Sequence, residues 1–171
     1  AFARTDVAEL ARELEAAGLK PGTSRLGDDE FNELELRDPS GLVLRFMETR
    51  SFPPPHAVPP LTLLGHFEAL SLPLEDFDDG IGFWSRLGIP AAVETAPWKQ
   101  LRVSLPGFSL AFHRPGVHDD PLLLFRQPDL DTAAEALESL GLRTVSGLGG
   151  FGTPDHRILT SPERMPLVLF A

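Results

Sequence analysis

Cysteine is absent from the chain, which excludes disulfides, a thiolate nucleophile and cysteine-ligated metal sites. A chain of this kind tolerates a reducing compartment, and we expect a cytoplasmic protein. No apolar run approaches the roughly 18–20 residues of a membrane span, so no membrane partner is expected. Basic residues are few, with 15 Lys and Arg against 25 Asp and Glu, and the formal net charge of -10 opposes binding to nucleic acid.

The chain also lacks the marks of a targeting segment. Its start, Ala1-Phe2-Ala3-Arg4-Thr5-Asp6, has neither a basic region nor an apolar region, so we do not expect it to be a signal peptide and predict that it is part of a strand. Apolar residues make up 42% of the chain and charged residues 23%, which is typical of a globular protein. At 171 residues the chain can bury a core without a structural metal.

A repeat is present in three copies. Each copy runs from an Asp to a Gly twelve positions later, at 6–18, 76–88 and 129–141. The Asp suits a helix N-cap, and the Gly suits the left-handed residue that follows a helix. Apolar residues recur between them at steps of three and four, so the repeat predicts three short amphipathic helices.

Segments of high β-propensity surround each of these helices. Each copy ends in a Pro-containing turn and an apolar run, which is typical of a hairpin leading into a buried strand. The predicted strand regions are 68–74 and 121–126 before the helices, 31–37, 99–105 and 156–160 after them, and 42–46, 109–113 and 166–169 at the ends. Each unit is therefore predicted as strand, helix and three strands.

Several motifs carry a resemblance to a known superfamily. Ala69-Leu70-Ser71-Leu72-Pro73-Leu74-Glu75-Asp76-Phe77, followed by Gly82-Phe83-Trp84 and Leu87-Gly88-Ile89, resembles the opening strand and helix of vicinal-oxygen-chelate modules. Asp38-Pro39-Ser40-Gly41 is similar to their Asp-Pro-x-Gly hairpin. This superfamily holds glyoxalases, bleomycin-resistance proteins and extradiol dioxygenases. The resemblance implies an α+β fold of repeated βαβββ modules, in which paired modules form a curved mixed sheet around a pocket.

The resemblance also predicts the domain organisation. Residues 1–50 form a partial module with a truncated opening strand, 51–60 a Pro-rich linker, and 61–171 a complete pair of modules, 61–118 and 119–171. The first module has no partner in the chain, and an unpaired half-sheet exposes apolar surface and a strand edge. We therefore expect a homodimer or an additional N-terminal module.

The metal positions of the superfamily, carried onto this sequence, fall on side chains that cannot coordinate. The first-strand position falls on Ala69 and Leu122, and the last-strand position on Arg45, Ala111 and Val168. A divalent ion needs imidazole nitrogen or carboxylate oxygen, so no cofactor is expected.

A displaced metal site is the alternative. It would bind Fe, Mn, Ni or Zn through the histidines and glutamates near these strand ends, which are His66, His113, Glu48 and Glu68. Strand alternation places His66 and Glu68 on the face away from the pocket, which argues against this site.

Alternation also predicts the pocket lining, an apolar cleft with a few polar groups. Trp98 could stack on a planar ligand, and Arg102 or Arg126 could bind a carboxylate or phosphate; alternatively Trp98 caps the core and the arginines reach solvent. The predicted ligand-binding residues are Phe67, Ser71, Trp98, Gln100, Arg102, Ser109, His113 and Arg126.

Arg45 lies inside an apolar run, where an unpaired charge is costly. It could bind an anion, lie at an exposed edge, or form a salt bridge across a module or dimer interface, and we prefer the interface.

Three functions stay open at this point. The first is a metal-free protein that binds a small aromatic or anionic molecule. The second is a metal-dependent lyase, isomerase or dioxygenase, in which the ion acts as a Lewis acid. The third is a fold that serves assembly only. Fold alone does not choose among them, and no catalytic residue is assigned.

Overall fold

The computed structural model describes residues 1–27, 31–49, 61–105, 107–146 and 156–171, so the predicted linker 51–60 lies outside the described residues. The elements in chain order are β1 (Phe2–Arg4), α1 (Val7–Ala16), β2 (Thr23–Arg25), β3 (Glu33–Arg37), β4 (Val43–Glu48), β5 (His66–Pro73), α2 (Phe77–Arg86), β6 (Ala91–Glu94), β7 (Gln100–Leu105), β8 (Phe108–His113), β9 (Leu122–Arg126), α3 (Leu130–Ser139), β10 (Val145–Ser146), β11 (His156–Thr160) and β12 (Pro166–Phe170). In this described part no helix is long and apolar enough to cross a membrane.

The three predicted helices are confirmed, and local capping explains where they begin. The Asp6 carboxylate accepts a hydrogen bond from Glu9 N at 2.7 Å, and the Asp129 carboxylate accepts one from Thr132 N at 3.0 Å. Each therefore satisfies a backbone donor that the first helical turn leaves free. The Gly that follows each helix has a left-handed backbone, with φ of 73°, 72° and 78° at Gly18, Gly88 and Gly141.

The strands form two mixed sheets. The smaller has the order β1-β4-β3-β2, and the larger has the order β10-β11-β12-β9-β5-β8-β7-β6. Each half of the larger sheet repeats the order of the smaller one, and the halves meet where β5 pairs antiparallel with β9. The predicted α+β fold of repeated βαβββ modules is confirmed.

The chain divides into two compact units. The first unit contains Ala1–His56 and Asp78–Ile89, and therefore the four-stranded sheet with α1 and α2. The second contains Ala57–Phe77 and Pro90–Ala171, and therefore the eight-stranded sheet with α3. The module boundaries inferred from the sequence stay a prediction.

In the first unit, alternation along β4 corrects the interpretation of Arg45. Leu44 and Phe46 are buried on one face of the sheet, so Arg45 between them points to the opposite face, where its side chain is 52% exposed. It forms an ion pair with Glu35, its direct neighbour on β3. The preferred prediction, a salt bridge across a module or dimer interface, was wrong, because the acidic partner of Arg45 lies in the same sheet.

In the second unit, the two faces of the eight-stranded sheet differ. One face carries Leu159 and Leu169, which pack with Ala133 and Leu137 of α3. We call the opposite face the inner face. Its apolar residues form one buried cluster, made of Ala69, Trp98, Ala111, Val117, Leu122, Leu124, Ile158, Val168 and Phe170.

Gly65 immediately precedes β5, and the backbone of Arg126 leaves no room for a side chain at this position. Its φ is 94°, and a Cβ there would lie 2.2 Å from the carbonyl oxygen of Arg126. We expect Gly65→Ala to lower the free energy of unfolding by about 3–4 kcal/mol, because backbone strain and a backbone clash combine. Urea unfolding followed by circular dichroism measures this loss.

The matched control is Gly141→Ala. Gly141 has a φ of 78°, and within the described residues no atom lies within 4 Å of a Cβ built there. Only the conformational cost remains, about 1 kcal/mol. Equal losses in the two variants would contradict the steric explanation.

Candidate functional site

Most of the predicted ligand-binding residues lie on the inner face. Ser71 pairs with Ala111 and Leu122 on the neighbouring strands, and Gln100 pairs with His113. Residues paired directly across a sheet point to the same face, and alternation then places every second residue there. The inner face therefore carries Ser71, Gln100, Arg102, Ser109, His113 and Arg126, and Trp98 joins it from the β6–β7 connection.

Phe67 does not belong to this face, and a β-bulge explains the error. The register between β5 and β9 shifts between Phe67 and Ala69, so the two residues no longer point the same way. The Phe67 ring lies 5.6 Å from Phe125 and 6.2 Å from Phe108, both on the face that packs against α3. The prediction that Phe67 lines the pocket side was therefore wrong.

The same bulge places both His66, which pairs with Arg126, and Glu68 on the inner face, from which alternation alone had excluded them. Glu68 forms a close ion pair with Arg102, and its Oε2 lies 3.4 Å from Nε of Arg126. Arg102 also lies 3.5 Å from Glu94. The guanidinium groups predicted to hold an anion are thus neutralised by the chain's own carboxylates.

Ser71 and His113 form a buried hydrogen-bonded pair. His113 Nε2 lies 3.0 Å from the carbonyl oxygen of His118, which can only accept, so Nε2 carries the proton. Nδ1 therefore accepts from the Ser71 hydroxyl at 2.8 Å. Burial lowers the pKa of His113 to about 4, so the imidazole is neutral at physiological pH. The Ser71 side chain is fully buried, so its hydroxyl is not accessible from solvent.

Two buried polar atoms of the inner face have no hydrogen-bond partner in the part of the chain that the structure describes. Gln100 Nε2 donates to the carbonyl oxygen of Ala96 at 2.5 Å. Its Oε1, like the Nε1 of Trp98, is buried and has no hydrogen-bond partner among the residues described. An unpaired buried group costs about 1–3 kcal/mol, so the inner face keeps one acceptor and one donor at a cost to stability.

Trp98 connects the two halves of the sheet. Its ring lies 6.4 Å from the ring of His113 on β8 and 6.4 Å from the ring of His156 on β11. These strands are four positions apart in the sheet, which is roughly 19 Å when a sheet is flat. The two imidazoles are at most twice 6.4 Å apart, so the inner face curves around the indole.

His156 is a buried inner-face residue that the sequence prediction missed. It pairs with Phe170, which places it on the inner face. The alternation of β11 would have placed His156 on the inner face. The approach of β11 to Trp98, by contrast, follows from the curvature of the sheet.

The residues at the superfamily's metal positions do not fit a metal. Ala69, Ala111, Leu122 and Val168 converge as predicted on one place, but they meet in the buried apolar cluster around Trp98. Methyl groups offer no lone pair to an ion, and an apolar setting does not compensate its charge. No catalytic step is therefore derived through a metal.

The members of the displaced metal site that lie in the second unit are not brought together either. His66 and Glu68 lie at the start of β5, whereas His113 pairs with Pro73 at its end, roughly 17–23 Å away along the strand. The Glu48 carboxylate accepts a hydrogen bond from the Asn32 side-chain amide at 2.5 Å. Across the described ranges no group of three or more His, Asp or Glu side chains could hold a metal ion.

A surface cleft of about 540 Å³ lies elsewhere, beyond the end of α3. Glu138, Gly141, Arg143 and Thr144 line it, and none of the predicted site residues is among them.

No protein-family model matches the chain, and neither does any curated protein. Solved structures do match. A catechol 2,3-dioxygenase is 16% identical with a TM-score of 0.57, over 99% of this chain and 69% of that chain. The 2,3-dioxygenase LapB from Pseudomonas sp. KL28 is 13% identical with a TM-score of 0.57, over 99% and 68%. The Mn(II)-bound glyoxalase from Novosphingobium aromaticivorans is 13% identical with a TM-score of 0.56, over 98% and 59%. The chain thus has the predicted vicinal-oxygen-chelate fold.

The buried neutral imidazole makes stability depend on pH. The pKa of His113 falls from 6.5 to about 4 on folding, so between these values the unfolded chain binds a proton that the folded chain does not. We expect the free energy of unfolding to fall by roughly 3 kcal/mol from this group as the pH drops from 6.5 to 4. Urea unfolding at several pH values, compared with His113→Gln, isolates this contribution. A gap between the two proteins that stays constant with pH would contradict it.

Proposed function

We propose that the second unit binds a small organic molecule on its inner face without a catalytic metal. The observation that carries the proposal is the pair of unpaired buried atoms, Gln100 Oε1 and Trp98 Nε1, beside the apolar cluster. Small-molecule sites have this composition, with apolar walls that supply binding energy and a few polar atoms that fix orientation.

The metal-dependent alternative has weaker support. A catechol dioxygenase and a Mn(II)-bound glyoxalase share the fold, but a shared fold hosts different chemistries. The positions that would have to supply ligands carry Ala, Leu and Val in this chain. The assembly-only alternative explains a filled inner face, but it gives no reason for unpaired polar atoms inside it.

Metal analysis and ligand screening test the proposal together. Protein purified without chelator is expected to contain far less than one equivalent of Fe, Mn, Ni or Zn by mass spectrometry. A thermal-shift screen of aromatic and carboxylate compounds is expected to find ligands that raise the melting temperature, because a ligand stabilises the state it binds. Stoichiometric metal would favour the enzyme, and a screen without response would favour assembly only.

A variant locates the binding to the inner face. Gln100→Leu removes the unpaired acceptor, and the affinity for a hit that donates to it should fall about tenfold, the loss of one hydrogen bond. Ser139→Ala on α3 is the control and should bind normally. Equal affinities in both variants would place the ligand elsewhere.

We also propose that the first unit pairs with a second copy of the chain through β1. The order β1-β4-β3-β2 repeats each half of the larger sheet, where the equivalent strands β5 and β9 pair. The outer edge of β1 has no partner strand in the described part of the chain. Arg4 O accepts from Thr49 N, so the backbone groups of Arg4 face β4 and those of Ala3 face outwards. An open edge with outward donors favours pairing, and two identical edges give a symmetric dimer.

The Ala3→Pro variant tests this edge. Proline removes the outward N–H, so the dimer is expected to dissociate at least tenfold more readily in analytical ultracentrifugation. Ala3→Val keeps the N–H and is the control. A monomeric wild-type protein, or a dimer that Ala3→Pro leaves unchanged, would overturn the proposal.

A further inference from the structure

We infer that Trp98 occupies the ligand position on the inner face, and that the ligand is a neutral planar aromatic molecule with an N–H or O–H donor that displaces the indole. This inference rests on the proposed function and narrows it. It concerns how the position is opened and what chemistry it accepts.

The residues around Trp98 form a position that fits a planar aromatic ring. The rings of His113 and His156 both lie near the indole, each with its centroid 6.4 Å away and nearly perpendicular to it. Ala69 and Ala111 are fully buried in the same cluster, and their small side chains leave the space that the indole fills. A planar ring of similar size would meet the same edges and methyl groups.

Trp98 is attached in a way that permits displacement. The last strand pair before the β6–β7 connection is Glu94 with Gln100, so residues 95–99, which include Trp98, lie outside the ladder. Moving the indole therefore breaks no strand hydrogen bond. The side chain of Gln100 holds the connection through the carbonyl oxygen of Ala96, next to the unpaired Oε1.

The indole is an imperfect occupant of this position. Its Nε1 and the Oε1 of Gln100 are both buried, yet neither has a partner among the described residues. A molecule whose donor reached Gln100 Oε1 would gain the hydrogen bond that Trp98 does not make. Trp98 then acts as an internal competitor, and the affinity for the ligand is reduced by the fraction of protein in which the indole is in place.

The charges of the groups around Trp98 favour a neutral ligand. His113, whose ring lies 6.4 Å from the indole, is a neutral imidazole hydrogen-bonded to the Ser71 hydroxyl, in a buried setting that disfavours an ion. The nearby arginines offer no free charge, because Arg102 and Arg126 are both paired with Glu68. Of the aromatic and anionic ligands predicted from the sequence, this position favours the neutral aromatic class.

Intrinsic fluorescence tests the displacement directly. The chain has two tryptophans and no tyrosine, and the other tryptophan, Trp84, lies in the first unit. Trp84→Phe therefore makes Trp98 the sole emitter, and Trp98→Phe leaves Trp84 as the control. With p-cresol as probe and excitation at the red edge of tryptophan absorption, the emission of Trp98 should move to longer wavelength as the indole enters water. Trp84 should show no change.

Three probes of similar size test the ligand class. Calorimetry is expected to find p-cresol bound about tenfold more tightly than toluene, which lacks the donor, and benzoate bound more weakly than both. Gln100→Leu should remove the preference for p-cresol over toluene. Trp98→Ala should raise the affinity for p-cresol; because this variant can lose the fold, Trp98→Leu is measured in parallel.

The outcomes separate this inference from the proposed function. Binding of p-cresol on the inner face with unchanged Trp98 emission would overturn the displacement and leave the binding function standing. A preference for benzoate would overturn the neutral class in the same way. If neither these probes nor the wider ligand screen gives any response, both proposals fail together.

Discussion

The antiparallel pairing of β5 with β9 is the constraint on which the second unit depends. Leu70 pairs with Leu123 and Ser71 with Leu122, and this ladder joins two four-stranded halves into one sheet. It also brings residues from distant strands to the same face, so that β8 and β11 both reach Trp98. Without the ladder, each half would expose an apolar face and an unpaired edge.

The β-bulge in that ladder separates a part of the inner face that carries ion pairs from a part that carries uncharged polar groups. The bulge after Phe67 turns Glu68 towards Arg102 and Arg126, so the charges at this end of β5 compensate one another. At the other end of β5, Ser71 and His113 form an uncharged pair. One face thus carries a neutralised ionic zone and a separate neutral polar zone.

The sequence predicted the features that depend on local chemistry. Asp6 and Asp129 cap helices, and alternation assigned Ser71, Gln100 and His113 to one face. His66, Phe67 and Glu68 were assigned to the wrong faces because a bulge depends on the register against β9, which the sequence of β5 alone does not contain. The approach of His156 to Trp98 follows from sheet curvature, which is a property of many strands together. The exposed position of Arg45, by contrast, was within reach of the sequence, since alternation with the apolar Leu44 and Phe46 places Arg45 on the opposite face of β4.

The fold and the chemistry of the inner face meet at Trp98. The fold brings Ala69, Ala111, Leu122 and Val168 together, and their apolar side chains leave a space that the indole fills. Packing alone accounts for this arrangement. It does not account for Gln100, because a leucine of similar size would lose one hydrogen bond to Ala96 and would remove an unpaired buried acceptor. Stability therefore gives no net reason for an amide at this position, whereas the proposed recognition of a hydrogen-bond donor would.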